Sequence, residues 1–407
     1  MTLRAGDWIE VRSKDEILGT LDKNGRLQEL PFMPQMFQYC GKRFKVFKRA
    51  HKTCDTVNPV AGRRIADAVH LNLRCDGQAY GGCQAACLLF WKEAWLKPVE
   101  ATDSLIAPPR GASTPESEIS TANGGCSEDD VRQATCTQDR QRGGVTRYFC
   151  QATQLPNFTT QLSWWDVRQY VEDFASGNVS LGVILAGFAY LSYYHLALAK
   201  RNRLGRPARW LYDQFQKLRG GVPYPRRTGT SPPGQPTPIA TLDLQPGELV
   251  RVKSYPEILA TLDGVRNRGM FFDAELVPFC GGVYRVQARI TKFINEKNGT
   301  MATMKTPAVI LEGVWCQSRY SNCRMFCPRS IYSWWREIWL ERVSEQVVVT
   351  TLPGERSIET QIPEGICEKI SSNNTANESF RELHIVQQFH CVTDPSDDRS
   401  RKKENDT

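Results

Sequence analysis

Histidine is scarce in this chain, with five in 407 residues, and the common catalytic signatures are missing. There is no Ser-His-Asp order, Walker loop, Gly-x-Gly-x-x-Gly or His-Glu-x-x-His. Phosphate cradling, dinucleotide binding and zincin chemistry therefore have no anchor here. No apolar segment precedes the first strand-like stretch, which argues against a cleaved secretory leader and makes cytosolic exposure the expectation. Charge is near balance outside one segment. Lys200 to Arg227 holds nine Lys or Arg against Asp213 alone, and so accounts for the whole formal charge of +8. An anionic partner, lipid or nucleic acid, belongs at that segment.

What the chain does have is a repeat. Gly6 to Val99 and Gly247 to Val343 open alike, as Gly6-Asp-Trp-Ile-Glu-Val11 and Gly247-Glu-Leu-Val-Arg-Val252. Each continues with Glu-Ile-Leu-x-Thr-Leu-Asp, at Glu16 to Asp22 and at Glu257 to Asp263. Identity at a near-constant offset marks a duplication. Because the Glu and Asp of this string recur in both copies, they read as cap and turn residues, not as an acid-base pair. Short alternating runs such as Trp8 to Val11 and Phe44 to Phe47 read as strands, and each copy closes on a Trp-rich segment, Phe90 to Leu96 and Trp334 to Leu340.

The expected class is mainly β with an α-helical insert. A Gly-acid-x-Val-x-Val opening, several short strands and a closing Trp-Leu-x-x-Val segment resemble the SH3-like small barrels, including the KOW and Tudor-type groups. The resemblance implies two tandem small barrels; the four-cysteine site expected in each, like the Pro-rich loop, departs from a plain barrel of that kind. The boundaries follow as residues 1–99 for the first repeat, 100–149 for a flexible linker and 150–219 for the helical insert. A Pro-rich linker covers 220–245, the second repeat 246–343, and a polar tail expected to be disordered, with a short strand at Gln346 to Thr351, covers 344–407.

The cysteines carry the strongest chemical signal. Cys40, Cys75, Cys83 and Cys87 in the first repeat match Cys280, Cys316, Cys323 and Cys327 in the second. The last three ligands run Cys-x7-Cys-x3-Cys and Cys-x6-Cys-x3-Cys. Four thiolates fill the tetrahedral shell of a structural zinc, which gives an expectation of two zinc sites per chain. Two disulfides per repeat are the main competing reading, and an iron-sulfur cluster, which suits the same donors, is the third. Cys54, near His51, has no counterpart in the second repeat and is the candidate reactive thiol. Cys126, Cys136 and Cys150 lie in or beside the first linker, His70 reads as structural, and Cys367 and Cys391 fall in the tail.

The insert begins with an amphipathic pattern, Ser163 as N-cap with Trp164, Val167, Val171 and Phe174 on one stripe. Val179 to Ala199 then carries no charge, a length near the roughly 20 residues that cross a bilayer. Trp164 and Trp165 precede it and the basic run follows, as at a membrane interface. It reads as a span, an interfacial or re-entrant helix, or a helix buried between the repeats.

The leading expectation is a non-catalytic, zinc-stabilised adaptor with a protein partner in a cytoplasmic, membrane-peripheral assembly, touching an anionic surface through Val179–Ala199 and Lys200–Arg227. A redox or metal-cluster protein using Cys54 and His51 is the alternative. Nucleic-acid binding through residues 200–227, with Trp210 and Tyr212 stacking, is the third. Elemental analysis of the purified chain tests the zinc reading. It expects about two zinc per chain and unfolding on chelation, and a folded chain without metal is the contrary result.

Overall fold

The computed structural model describes residues 2–58, 62–99, 125–139, 144–199, 205–232, 234–321 and 323–343. Its architecture is mainly β, a set of small antiparallel sheets with a few helices. In the first half Trp8–Val11 lies between Leu96–Pro98 and Arg43–Lys45, pairing Ile9 with both Pro98 and Phe44. Lys48–Arg49, Ala68–His70 and Trp91–Lys92 form a second sheet, and Thr160–Leu162 joins Gly62–Arg64 and Lys52–Cys54 in a third. The second half has a five-stranded sheet ordered Tyr332–Trp335, Met301–Trp315, Val283–Ile294, Leu249–Val252 and Leu340–Arg342. Its two end strands pair with no further strand, so no closed barrel occurs among the described residues.

The two halves use the same local devices. Helix α1 (Lys14–Leu18) and its counterpart Tyr255–Leu259 each start on a serine capping box. Ser13 is closed by Glu16 and Ser254 by Glu257. Each box satisfies amide donors that the first turn leaves orphaned. Asp22 accepts from the Asn24 and Arg26 amides, which makes it the turn residue that the recurrence suggested. Two-residue hairpins follow at 26–31 and 266–271, then 3-10 turns at Pro34–Tyr39 and Ala274–Phe279.

Each half also has its own aromatic core. Phe32 meets Trp95 edge to face at 5.1 Å, and Phe272 meets Trp339 in the same way at 5.2 Å. Both indoles are fully buried and donate to a threonine, Trp95 to Thr20 at 3.1 Å and Trp339 to Thr261 at 2.9 Å. A buried N–H without that acceptor bears its full desolvation cost.

The described parts of two segments expected as linkers are structured. Within 100–149, helix α2 (Glu128–Gln133) and the hairpin Cys136–Asp139 with Val145–Tyr148 are ordered. Ser127 starts α2 with a capping box closed by Asp130, and buried Val131 ties it to the first core. Along 220–245, Thr237 accepts from the Arg268 amide at 2.9 Å and Leu244 is buried in the second core, so this Pro-rich stretch is a strap laid on the second half. Residues 100–124 and the tail 344–407, with the expected strand at Gln346 to Thr351, lie outside the described residues.

The insert holds three further helices, α3 (Arg168–Ala175), α4 (Leu181–Ala199) and α5 (Gly205–Leu218); Tyr255–Leu259 is α6. No helix among the described residues is long and apolar enough to cross a membrane. Ile184 and Leu191 of α4 pack with Met325 and Phe326 of the second half. Gly187 makes that approach possible, because a Cβ there would run into the Phe326 ring. Tyr190 and Tyr193 then meet Tyr212 of α5 at 6.4 and 5.2 Å.

The matched indole contacts predict matched costs. Thr20→Val and Thr261→Val should each destabilise the protein by about 1–3 kcal/mol in urea unfolding, with little change in native circular dichroism. A loss at one site only would mean that the two cores are not equivalent.

Candidate functional site

The cysteines assemble differently from their order in sequence. Cys75 and Cys87 face each other across a short antiparallel bridge, with the Cys75 amide donating to the Cys87 carbonyl at 2.9 Å. Together with Cys83 and Cys150 they line one small cavity of about 30 Å³, otherwise walled mainly by apolar side chains. Burial raises the pKa of all four thiols. Gln35 donates to Cys75 Sγ at 3.2 Å, and the Ile294 amide of the second half donates to Cys83 Sγ at 3.3 Å. Cys40 is not part of this lining; its charged neighbours are Lys14 and Glu128.

In the second half, Cys327 is buried with Cys54, which comes from the first half. The Cys54 amide donates to Cys327 Sγ at 3.0 Å. Cys316 lines a cavity with Cys54 and lies 2.9 Å from Ser318 Oγ. Cys323 is half-buried in the same loop. Cys280 stands apart, near the Leu276 carbonyl, and burial pushes its thiol up to about 12. Among the described residues no three His, Cys, Asp or Glu side chains are grouped to hold a metal ion. The two sets read from the repeat are thus not gathered as fours.

The halves trade segments around these thiols. Gln84, beside Cys83, accepts from the Thr291 and Lys292 amides at 2.7 and 3.0 Å, while Ile294 enters the first core. In return Arg74 stacks on the Tyr332 ring at 3.7 Å and donates to the Ser330 carbonyl at 2.8 Å. Arg329 is almost fully buried, pairs with Glu296 at 2.9 Å, and reaches the Cys54 carbonyl.

His51 does not join Cys54. Its ring turns to α3, where Nε2 lies 3.2 Å from Asp173 Oδ1 and 3.3 Å from the Gln169 carbonyl. His70 Nδ1 donates to the Leu89 carbonyl at 2.8 Å, and burial lowers its pKa to about 3, which keeps it a neutral structural residue.

Helix α3 is built inside out. Its polar residues Gln169 and Asp173 are buried, Asp173 at 0% exposure, whereas Val167 (67%), Val171 (65%) and Phe174 (55%) face solvent. The cause is Lys52, whose ammonium binds Asp173 and also donates to the Met325 carbonyl at 2.8 Å. Burial lowers the Lys52 pKa and the Asp173 carboxylate opposes it. The expected apolar stripe exists, but it points outward. Helix α5 repeats the pattern with Leu211, Phe215 and Leu218 exposed, and α4 exposes Leu181 and Leu185. Trp165, just before α3, is 68% exposed and edge-on to Trp164.

Two neighbours were not legible in the repeat pattern: Cys150 beside the first thiol set, and Cys327 as the partner of Cys54. The one available signal was that both Cys54 and Cys150 lack a counterpart in the other repeat. No protein-family model and no curated protein matches the chain.

The buried pair makes a direct prediction. Asp173→Ala strands the Lys52 ammonium and should cost about 3–5 kcal/mol in chemical unfolding. The double change Lys52→Met with Asp173→Leu should recover most of that loss. Equal losses in both variants would show that charge pairing is not what holds α3.

Proposed function

We propose that this protein is a non-catalytic, membrane-peripheral adaptor in which two β modules of SH3-like type carry a helical insert that docks on an anionic bilayer. The observation that carries this reading is the set of exposed apolar side chains within residues 164–195 and 207–218. Eleven of the fifteen exposed large hydrophobic side chains among the described residues fall there. Soluble proteins rarely leave such residues clustered, and rimmed clusters mark interaction surfaces.

The kind of partner follows from charge. Acids are absent between Asp173 and Asp213, while the basic run begins at Lys200. Asp213 is itself paired with Arg227. Apolar stripes at i, i+4 and i+7 beside Lys and Arg suit a helix lying in the headgroup region, with tryptophans at its edge. Anionic lipid supplies about 1 kcal/mol for each basic side chain near the surface. The packing of α4 against Met325 and Phe326 favours lying on the membrane over spanning it.

Sedimentation with phosphatidylcholine vesicles, with and without phosphatidylserine, tests this reading on the full chain. Binding should need the anionic lipid and weaken as salt rises. Val171→Asp combined with Phe215→Asp should reduce partitioning at least about tenfold with an unchanged melting curve, because both side chains are exposed. Absent binding by the unmodified chain, equal binding by the variant, or salt-sensitive binding to RNA instead of vesicles would each overturn it.

A further inference from the structure

Cys54 and Cys327 are separated by 273 positions in the chain and meet in the interior. Their side chains pack with Ile331 in a small buried cluster. Beside them, Cys54, Cys316 and Arg324 help to line a cavity of about 20 Å³, space for one molecule of roughly the size of water. The two sulfurs differ in position. Cys54 lines that cavity together with Arg324, whereas Cys327 is not part of its wall and lies behind Cys54, whose amide donates to Cys327 Sγ at 3.0 Å. A thiol at a small cavity, in buried contact with a second thiol behind it, is the arrangement of an attacking sulfur and its resolving partner.

We propose that Cys54 and Cys327 are a redox-active pair that hydrogen peroxide converts to a disulfide joining the two halves of the chain. The Cys54 sulfur, having given up its proton, attacks one peroxide oxygen. The O–O bond breaks, hydroxide leaves and takes up that proton as water, and Cys54 becomes a sulfenic acid. The Cys327 sulfur then attacks Cys54 Sγ as it loses its own proton. The S–S bond forms, the S–O bond breaks, and the departing hydroxide takes up that proton and leaves as a second water. One peroxide is reduced to two waters, and two thiols are oxidised to one disulfide. His51 has no part in this, since its ring faces α3.

The segment exchange gives the pair a consequence. Lys52–Cys54 is the strand that the first half lays against the second, so the bond would fasten that exchange covalently. A crosslink across so long a stretch also restricts the unfolded chain, and the oxidised protein should unfold at higher denaturant than the reduced one.

The full chain, reduced and then treated with hydrogen peroxide, is alkylated under denaturing conditions, digested and read by mass spectrometry. The expected product is a peptide pair linking Cys54 to Cys327, formed at peroxide doses no higher than those that oxidise exposed Cys136. Cys316→Ser should keep the link. Cys327→Ser should abolish it and leave a Cys54 sulfenic acid that dimedone captures. The proposal fails if Cys54 stays fully alkylatable at those doses in the unmodified chain. It fails equally if Cys54 links to Cys316 or any other cysteine. The first readout needs no substitution, so it decides the matter even where a variant does not fold.

Discussion

The contact between Lys52 and Asp173 holds together three parts of the chain that sequence separates. Lys52 belongs to the first half, Asp173 to the helical insert, and the Met325 carbonyl that takes a further ammonium hydrogen to the second half. A charged pair removed from water needs compensating hydrogen bonds, and here Gln169 Oε1 also accepts from Lys52 Nζ at 3.3 Å, although Asp173 Oδ1, 3.2 Å from His51 Nε2, accepts none. That requirement fixes which face of α3 turns inward. The apolar stripe is left outside as a consequence, so a demand for charge pairing inside creates the surface that the insert presents outside.

The same anchor sets the position of the neighbouring strand. With Lys52 held against Met325, Cys54 two residues later arrives at Cys327, on the same side of the strand. The reciprocal contact, Gln84 on Thr291 and Lys292, brings Ile294 to Cys83. Each half therefore completes the surroundings of the other's thiols. Arginines reinforce the exchange, with buried Arg329 bound to Glu296 and half-buried Arg74 laid on Tyr332. Neither half, as it stands in the structure, presents its cysteine region without the other.

The thiols show how one residue type acquires different chemistry from its surroundings. Around Cys75, Cys83, Cys87 and Cys150 the walls are largely apolar, and burial raises all four pKa values. At Cys54 the guanidiniums of Arg324 and Arg329 and the Cys327 thiol oppose burial and lower it. In the same cavity burial and the nearby Asp273 push Glu275 up to about 7. No spacing rule separates these cases, because the deciding groups come from distant positions.

Local chemistry was legible from the residues alone. The capping boxes at Ser13 and Ser254, the Asp22 turn, the strands at Trp8–Val11 and Leu249–Val252 and the closing tryptophans each depend on neighbours a few positions away. The apolar stripe of α3 and the basic run after α4 were equally plain, since periodicity and charge are properties of the string. The tertiary structure decided what those features face. A stripe at helical spacing does not say whether it meets a core or solvent, and Asp173 settled that by pairing with Lys52. A repeated cysteine pattern suggested ligands within each repeat. Pairing across halves joined Cys54 to Cys327 and drew Cys150 to Cys75, Cys83 and Cys87, because proximity in a folded chain is set by which strands pack, and sequence interval does not encode it.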